Sequence, residues 1–141
     1  MPTLLLKLAP LQNPERYQQL ASALTDLTVR LLGKRREVTA VVIDDLPAAR
    51  WHVGGAPLAR PTALLEISIT QGTNTPAEKA AFVQAAFAEL QRQLAGGGAL
   101  EPVSYVVVRE LPAQDWGYGG TTQLARQQAR AAAADPALAA A

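Results

Sequence analysis

The 141-residue chain contains no cysteine, one methionine and a single histidine, His52. Without cysteine there is no disulfide framework, no thiolate metal site and no cysteine nucleophile. One histidine rules out a multi-histidine zinc site or a histidine relay within one chain. Charge is sparse: 18% of residues are charged, and 13 Lys and Arg against 12 Asp and Glu leave a net +1. That balance lacks the strongly basic face with which proteins hold nucleic acid. Long hydrophobic runs are missing too. Leu4-Leu5-Leu6 is broken by Lys7 and stopped at Pro10, too short for a signal segment or a membrane span. The expectation is a cytoplasmic protein with no nucleic-acid and no membrane partner.

What the chain has is apolar content, 49% of its residues, enough to build a core at this length. It also repeats itself. Pro2–Leu8 returns 59 residues later as Pro61–Ile67, and Val38–Gly55 returns 65 residues later as Val103–Gly120. Nine of the 18 positions in the second pair are identical, among them Leu-Pro-Ala, the tryptophan and the paired glycines, so Trp51 and Trp116 are equivalent. The chain therefore divides into a first unit over residues 1–60, a second over 61–125 and an alanine-rich tail over 126–141. Eight of the last eleven residues are alanine, which predicts a frayed helix or disordered tail.

Each unit has the same grammar. A short aliphatic strand, Thr3 to Leu8 or Ala63 to Ile69, is followed by a helix that starts at a cap and a proline, Asn13-Pro14 and Thr75-Pro76. Thr75 with Glu78 forms the pattern of a capping box. Helical spacing continues through Tyr17, Leu20, Leu24, Leu27 and Leu31, and through Val83, Phe87, Leu90 and Leu94, until Gly33 and Gly96 stop it. Second strands lie near Thr39 to Asp44 and Val103 to Glu110. A helix between two strands of one sheet implies a parallel, right-handed crossover. The fold class predicted is α+β: tandem β-α-β units in the order β-α-β-β-α-β, a four-stranded mixed sheet and two helices on one face. Leu4-Leu5-Leu6 and Val41-Val42-Ile43 predict strands apolar on both faces, and two helices cover only one of them. The other face calls for a second subunit and hence a closed homo-oligomer.

A proline directly after Met1, β-α-β units of about sixty residues and an aromatic-x-x-Gly-Gly near each unit's end resemble the tautomerase superfamily, typified by 4-oxalocrotonate tautomerase. The duplication is similar to its fused or long forms, including the cis-3-chloroacrylic acid dehalogenase and malonate semialdehyde decarboxylase branches. Glu110-Leu111-Pro112-Ala113-Gln114 is similar to the dehalogenase branch, and the resemblance spans Pro2 to Gly120. It implies a trimeric tautomerase/MIF-like fold and a homotrimer acting on a small-molecule substrate with no cofactor and no metal. It also implies that Pro2, freed by removal of Met1, is the catalytic base. An α-amino group titrates near ~8, and an apolar site disfavours its charged form, placing it where a general base is effective. Pro61 repeats the motif, but its nitrogen is an amide.

The resemblance also marks what this chain lacks. Relatives acting on dicarboxylates or haloacrylates carry arginines where this chain has Leu11 or Gln12, Thr73, Ala40 and Tyr105. The dehalogenase histidine falls near Thr28 and its acidic residue near Gly117. One substitute is in view: Arg109 is four residues beyond Tyr105 on the same strand face. Arg109 then anchors an oxyanion or carboxylate with Tyr105 donating beside it, or else pairs with Asp44, Asp45 or Glu110 in solvent. Trp51 and Trp116 either wall the proline site or anchor subunit contacts. His52 reads as a surface or interface residue and Arg35-Arg36 as a solvated helix exit. The leading expectation is a keto–enol tautomerase of a small carbonyl or 2-hydroxy-enoate compound. The alternatives are a proline-dependent dehalogenase, hydratase or decarboxylase of a small carboxylate, and a non-catalytic trimeric scaffold.

Overall fold

A computed structural model describes residues 2–134. Strands β1 (Thr3–Ala9), β2 (Ala40–Asp45), β5 (Thr62–Thr70) and β6 (Tyr105–Leu111) form one sheet in the order β2-β1-β5-β6. β1 pairs parallel with β2 and β5 parallel with β6, while β1 and β5 meet antiparallel at the centre. Each parallel pair is joined by a helix, α1 (Pro14–Leu32) or α2 (Pro76–Ala95), and both helices pack on the same face. The mixed four-stranded α+β sheet expected from the repeat is the fold observed.

Local chemistry sets the helix ends. Asn13 accepts the Arg16 N–H through its side chain, Pro14 opens α1, and Gly33 closes it at a φ of 68° that favours glycine. α2 starts from the complete Thr75–Glu78 capping box. The core joins Leu4, Leu6 and Leu8 of β1 and Ala63, Leu65, Ile67 and Ile69 of β5 to Leu20, Leu24 and Leu27 of α1 and Phe82, Ala86 and Leu90 of α2. Of the expected α2 spacing, Leu90 is buried and Phe87 and Leu94 pack half-buried against the core, whereas Val83 is exposed and Phe82 takes the buried place beside it. So many of α2's positions are alanine that the sequence pattern has no bulky counter-face to fix its phase.

The strands alternate more than their composition implies. Leu5 and Val42 point to the face away from the helices, where they are 46% and 55% exposed. In register across that open face lie Ala40, Thr3, Ser68 and Arg109; then Val42, Leu5, Glu66 and Val107; then Asp44, Lys7, Leu64 and Tyr105. The face expected to be apolar is therefore half polar, with an ion pair between Arg109 and Glu66 at 3.4 Å.

Each unit ends in a small hairpin, β3 (His52–Val53) with β4 (Ala56–Pro57), and β7 (Gly117–Tyr118) with β8 (Thr121–Thr122). Their turns use paired glycines with φ of 60° and 78° in both units, the conformation a two-residue hairpin turn of primed type requires. The chain then enters α3 (Gln123–Ala134), so the boundary placed at residue 126 falls inside a helix. The tail reading applies in part to residues 135–141, which lie outside the described residues. No helix among the described residues is long and apolar enough to cross a membrane.

Candidate functional site

Pro2 is buried at the start of β1, and its carbonyl accepts the Ala40 N–H at 3.2 Å. Register places it between the chain entering β2 and the end of β5, since Thr3 pairs with Ala40 on one side and Ser68 on the other. A cavity of about 210 Å³ opens at this end of the sheet. Val38, in the short turn that leads into β2, and Thr70, at the end of β5, line it; Pro2 itself does not. Lys34 and Arg35 enter from the end of α1, Thr73 from the β5–α2 loop, Tyr118 from β7, and Gln123 and Arg130 from α3. No carboxylate lines this cavity among the described residues.

Lys34 Nζ donates to Thr73 Oγ1 at 2.9 Å. Partial burial pushes the Lys34 ammonium below its usual value, against the opposing pull of Glu78 and Glu110. Arg35 reaches Glu37 at 2.8 Å, so the pair read as a solvated helix exit splits: Arg35 borders the cavity and Arg36 pairs with Asp26. Tyr118 is held by Arg126, whose guanidinium sits 3.7 Å over its ring and donates to its carbonyl at 2.9 Å.

The residues singled out from the sequence do not gather at one point. Pro2, Arg109 and Trp116 fall at the same end of the sheet, because β6 runs antiparallel to β1 and finishes where β1 begins. Tyr105 and Trp51 belong to the opposite end, near Pro61. Tyr105 and Arg109 share the open face as expected, but one strand row separates them. Arg109 pairs with Glu66 rather than with Asp44, Asp45 or Glu110. The indole Nε1 of Trp116 is buried without a partner, and its carbonyl accepts the Gln123 N–H at 2.9 Å. His52 is exposed. Thr28, where the dehalogenase branch has histidine, is buried with its hydroxyl donated to the Leu24 carbonyl at 2.8 Å. At Gly117 a Cβ would meet the Thr121 carbonyl oxygen at 2.1 Å, so no acidic side chain fits there without moving the hairpin.

Sequence reasoning missed Lys34, Gln123 and Arg130. Lys34 follows a helix stop and reads as a solvated cap, while Gln123 and Arg130 sit at the edge of a segment that looks like a tail. The usable signal was the Gln123, Gln127, Arg130 spacing, which repeats at four and three residues on one helix face.

The tautomerase family model, described as a tautomerase enzyme, matches residues 2–60. Among solved structures, a wild-type fused 4-OT forming an asymmetric trimer is 27% identical, with a TM-score of 0.76 over 88% of this chain and 98% of its own. N1, a member of the cis-3-chloroacrylic acid dehalogenase family, is 21% identical with a TM-score of 0.74, over 96% and 93% of the two chains. A macrophage migration inhibitory factor-like protein from Entamoeba histolytica is 18% identical with a TM-score of 0.67, over 86% and 97%. No curated protein matches the chain.

Proposed function

From the premise that the chain is a two-unit member of the tautomerase superfamily, we propose that it is a cofactor-independent keto–enol tautomerase working as a homotrimer. Its general base is Pro2, exposed as an N-terminal amine once Met1 is removed. The observation that carries this reading is the placing of a buried Pro2 at the end of the sheet where a cavity bordered by Lys34, Arg35 and Arg130 opens. Burial disfavours the prolinium form, which favours the free amine near neutral pH. The secondary amine takes the proton from an enol hydroxyl, and the prolinium so formed then delivers it to the enolate carbon. Nothing leaves and nothing is oxidised, so the product is the isomeric carbonyl compound. Cations beside the reacting oxygen stabilise the enolate that develops between the two transfers. The half-polar open face of the sheet is the surface that assembly covers.

Dehalogenation, hydration and decarboxylation are weaker readings here because Thr28 and Gly117 leave no acid or base at the positions that branch uses. Ketonisation of phenylenolpyruvate or 2-hydroxymuconate tests the proposal. The full chain should accelerate it, intact mass should show Met1 gone, and Pro2→Ala should remove the acceleration. Undiminished turnover by Pro2→Ala refutes the proline mechanism; a trimer with no activity on either enol favours a scaffold.

A further inference from the structure

Half-buried Lys34 faces its cavity without an acid beside it. Its Nζ donates to Thr73 Oγ1 at 2.9 Å, and the Thr73 hydroxyl in turn donates to the Thr70 carbonyl at 2.6 Å. Among the described residues no carboxylate lines the space, and the other charged side chains in its lining, Arg35 and Arg130, are cations. Glu78 and Glu110 favour the ammonium from outside the lining, but each is already engaged. Glu78 accepts the Thr75 N–H at 2.8 Å, and Glu110 pairs with Lys79 at 3.1 Å. Burial outweighs both and holds the ammonium below its usual value. The other two lysines of the chain are placed differently: Lys7 is exposed on the open face in register with Asp44, and Lys79 has Glu110. A desolvated lysine near other cations and without a counter-ion is the arrangement that turns an ammonium into a nucleophilic amine.

We propose that Lys34 is a carbonyl-reactive amine, which forms a Schiff base with a small aldehyde or ketone entering this cavity. The Nζ lone pair forms a C–N bond to the carbonyl carbon, the C=O π pair moves to oxygen, and the proton that nitrogen loses goes to that oxygen. A proton from solvent then lets the carbinolamine oxygen leave as water while the nitrogen lone pair closes the C=N bond. The product is a protonated imine, and nothing is oxidised or reduced. At about 210 Å³ the cavity suits a small carbonyl compound rather than a drug-sized ligand, whose sites start at roughly 300 Å³. Arg35 and Arg130 stay protonated and remain the cations of the cavity. Pro2 takes no part in this step, so the two activities stand or fall separately.

Treatment of the folded full chain with propanal and sodium cyanoborohydride fixes each imine as a stable alkylamine, and peptide fragmentation reads which nitrogen carries it. The three lysines, Lys7, Lys34 and Lys79, compete within one molecule. Near neutral pH Lys34 should be labelled about tenfold faster than either of the others, because a lowered ammonium supplies more free amine. Between about pH 9 and about pH 7 its rate should fall less than theirs. Arg130→Gln should slow labelling of Lys34 by about threefold at neutral pH, since a neighbouring cation disfavours the ammonium, and leave Lys7 and Lys79 as they were. An unchanged Lys34 rate in that variant, folded, overturns the part given to Arg130. In guanidinium chloride the three lysines should be labelled alike. A preference that survives unfolding comes from the flanking arginines of the sequence and overturns the role of the cavity. Equal labelling of the three lysines in the folded chain, or label on the Pro2 amine alone, overturns the proposal.

Discussion

Pro2 and Pro61 begin equivalent strands at opposite ends of one sheet, and the cavities beside them differ in chemistry. Beside Pro61 a space of about 240 Å³ is lined by Pro10, Ala48, Leu58, Ala59 and Arg60, the last paired with Glu101 at 3.3 Å. Beside Pro2 the equivalent place of Leu58 is taken by Gln123, although both backbones make the same bond to the preceding tryptophan carbonyl, at 3.2 and 2.9 Å. Where α1 ends in Gly33, Lys34 and Arg35, α2 ends in Gly96, Gly97 and Gly98. The duplication kept the backbone devices and let the side chains part, so polar chemistry collects at one end. That end is also the only one whose proline can carry a free amine.

The largest test of this contrast sets Pro2→Ala against Pro61→Ala. Loss of a general base should cost about 10²- to 10⁴-fold in turnover, whereas Pro61→Ala should stay within about twofold, since its nitrogen is an amide in either case. Comparable losses from both variants would erase the distinction between the ends. The next effect is in the core. Leu20 and Phe82 are equivalent, fully buried residues of α1 and α2. Phe82→Ala should destabilise by about 3–5 kcal/mol and Leu20→Ala by about 2–5 kcal/mol in urea unfolding. The larger cost is expected in α2, whose neighbouring alanines, Ala85 and Ala86, have no length with which to fill the gap. A costlier Leu20→Ala would show that α1 carries the packing instead.

Much of the architecture was legible because duplication states each element twice. The capping residues, the glycine stops and the repeated strands were enough to place the four-stranded sheet and both helices. Only the first turns of α2 were misplaced, Phe82 facing the core where Val83 was expected, because the alanines around them suit a buried and an exposed position alike. Nor were the hairpins, although the paired glycines that make them were in plain view as a motif. At the candidate site, the residues singled out from the sequence do not include those that line the cavity near Pro2. Arg109 and Tyr105 were rightly assigned to one face, but a face is not a place: four residues along one strand put them in rows with another between. Lys34 and Gln123 line one cavity although 89 residues separate them in sequence, and no local pattern announces that the helix following the second hairpin borders the same space as the end of α1.

The smallest predicted effect concerns how each unit ties its helix to its second strand. In the first unit the Asp45 carboxylate accepts the Gln12 N–H at 2.7 Å and the Tyr17 hydroxyl. The equivalent positions of the second unit are Lys79 and Glu110, which form an ion pair at 3.1 Å. The bond from Gln12 and then that from Tyr17 hold the Asp45 carboxyl below its usual 3.8, while the same contact raises the Tyr17 phenol above 10.0. A lowered acid contributes stability that is full above its unfolded value and is lost as pH falls through the folded one. A raised phenol contributes stability that is present below its unfolded value and is lost as pH rises through the folded one. The first clasp should therefore be at full strength from about pH 4 to 10 and weaken progressively beyond that window. Asp45→Asn should cost no more than about 1 kcal/mol at neutral pH, given its partial exposure, and that cost should shrink as pH falls below about 4. Lys79→Met should cost about as little, but its penalty should shrink in 1 M salt, where an ion pair is screened and a neutral-donor bond is not. Double-mutant cycles on each pair, run against acid and against salt, separate the two. Equal salt sensitivity in both would mean that the units are tied by the same interaction after all.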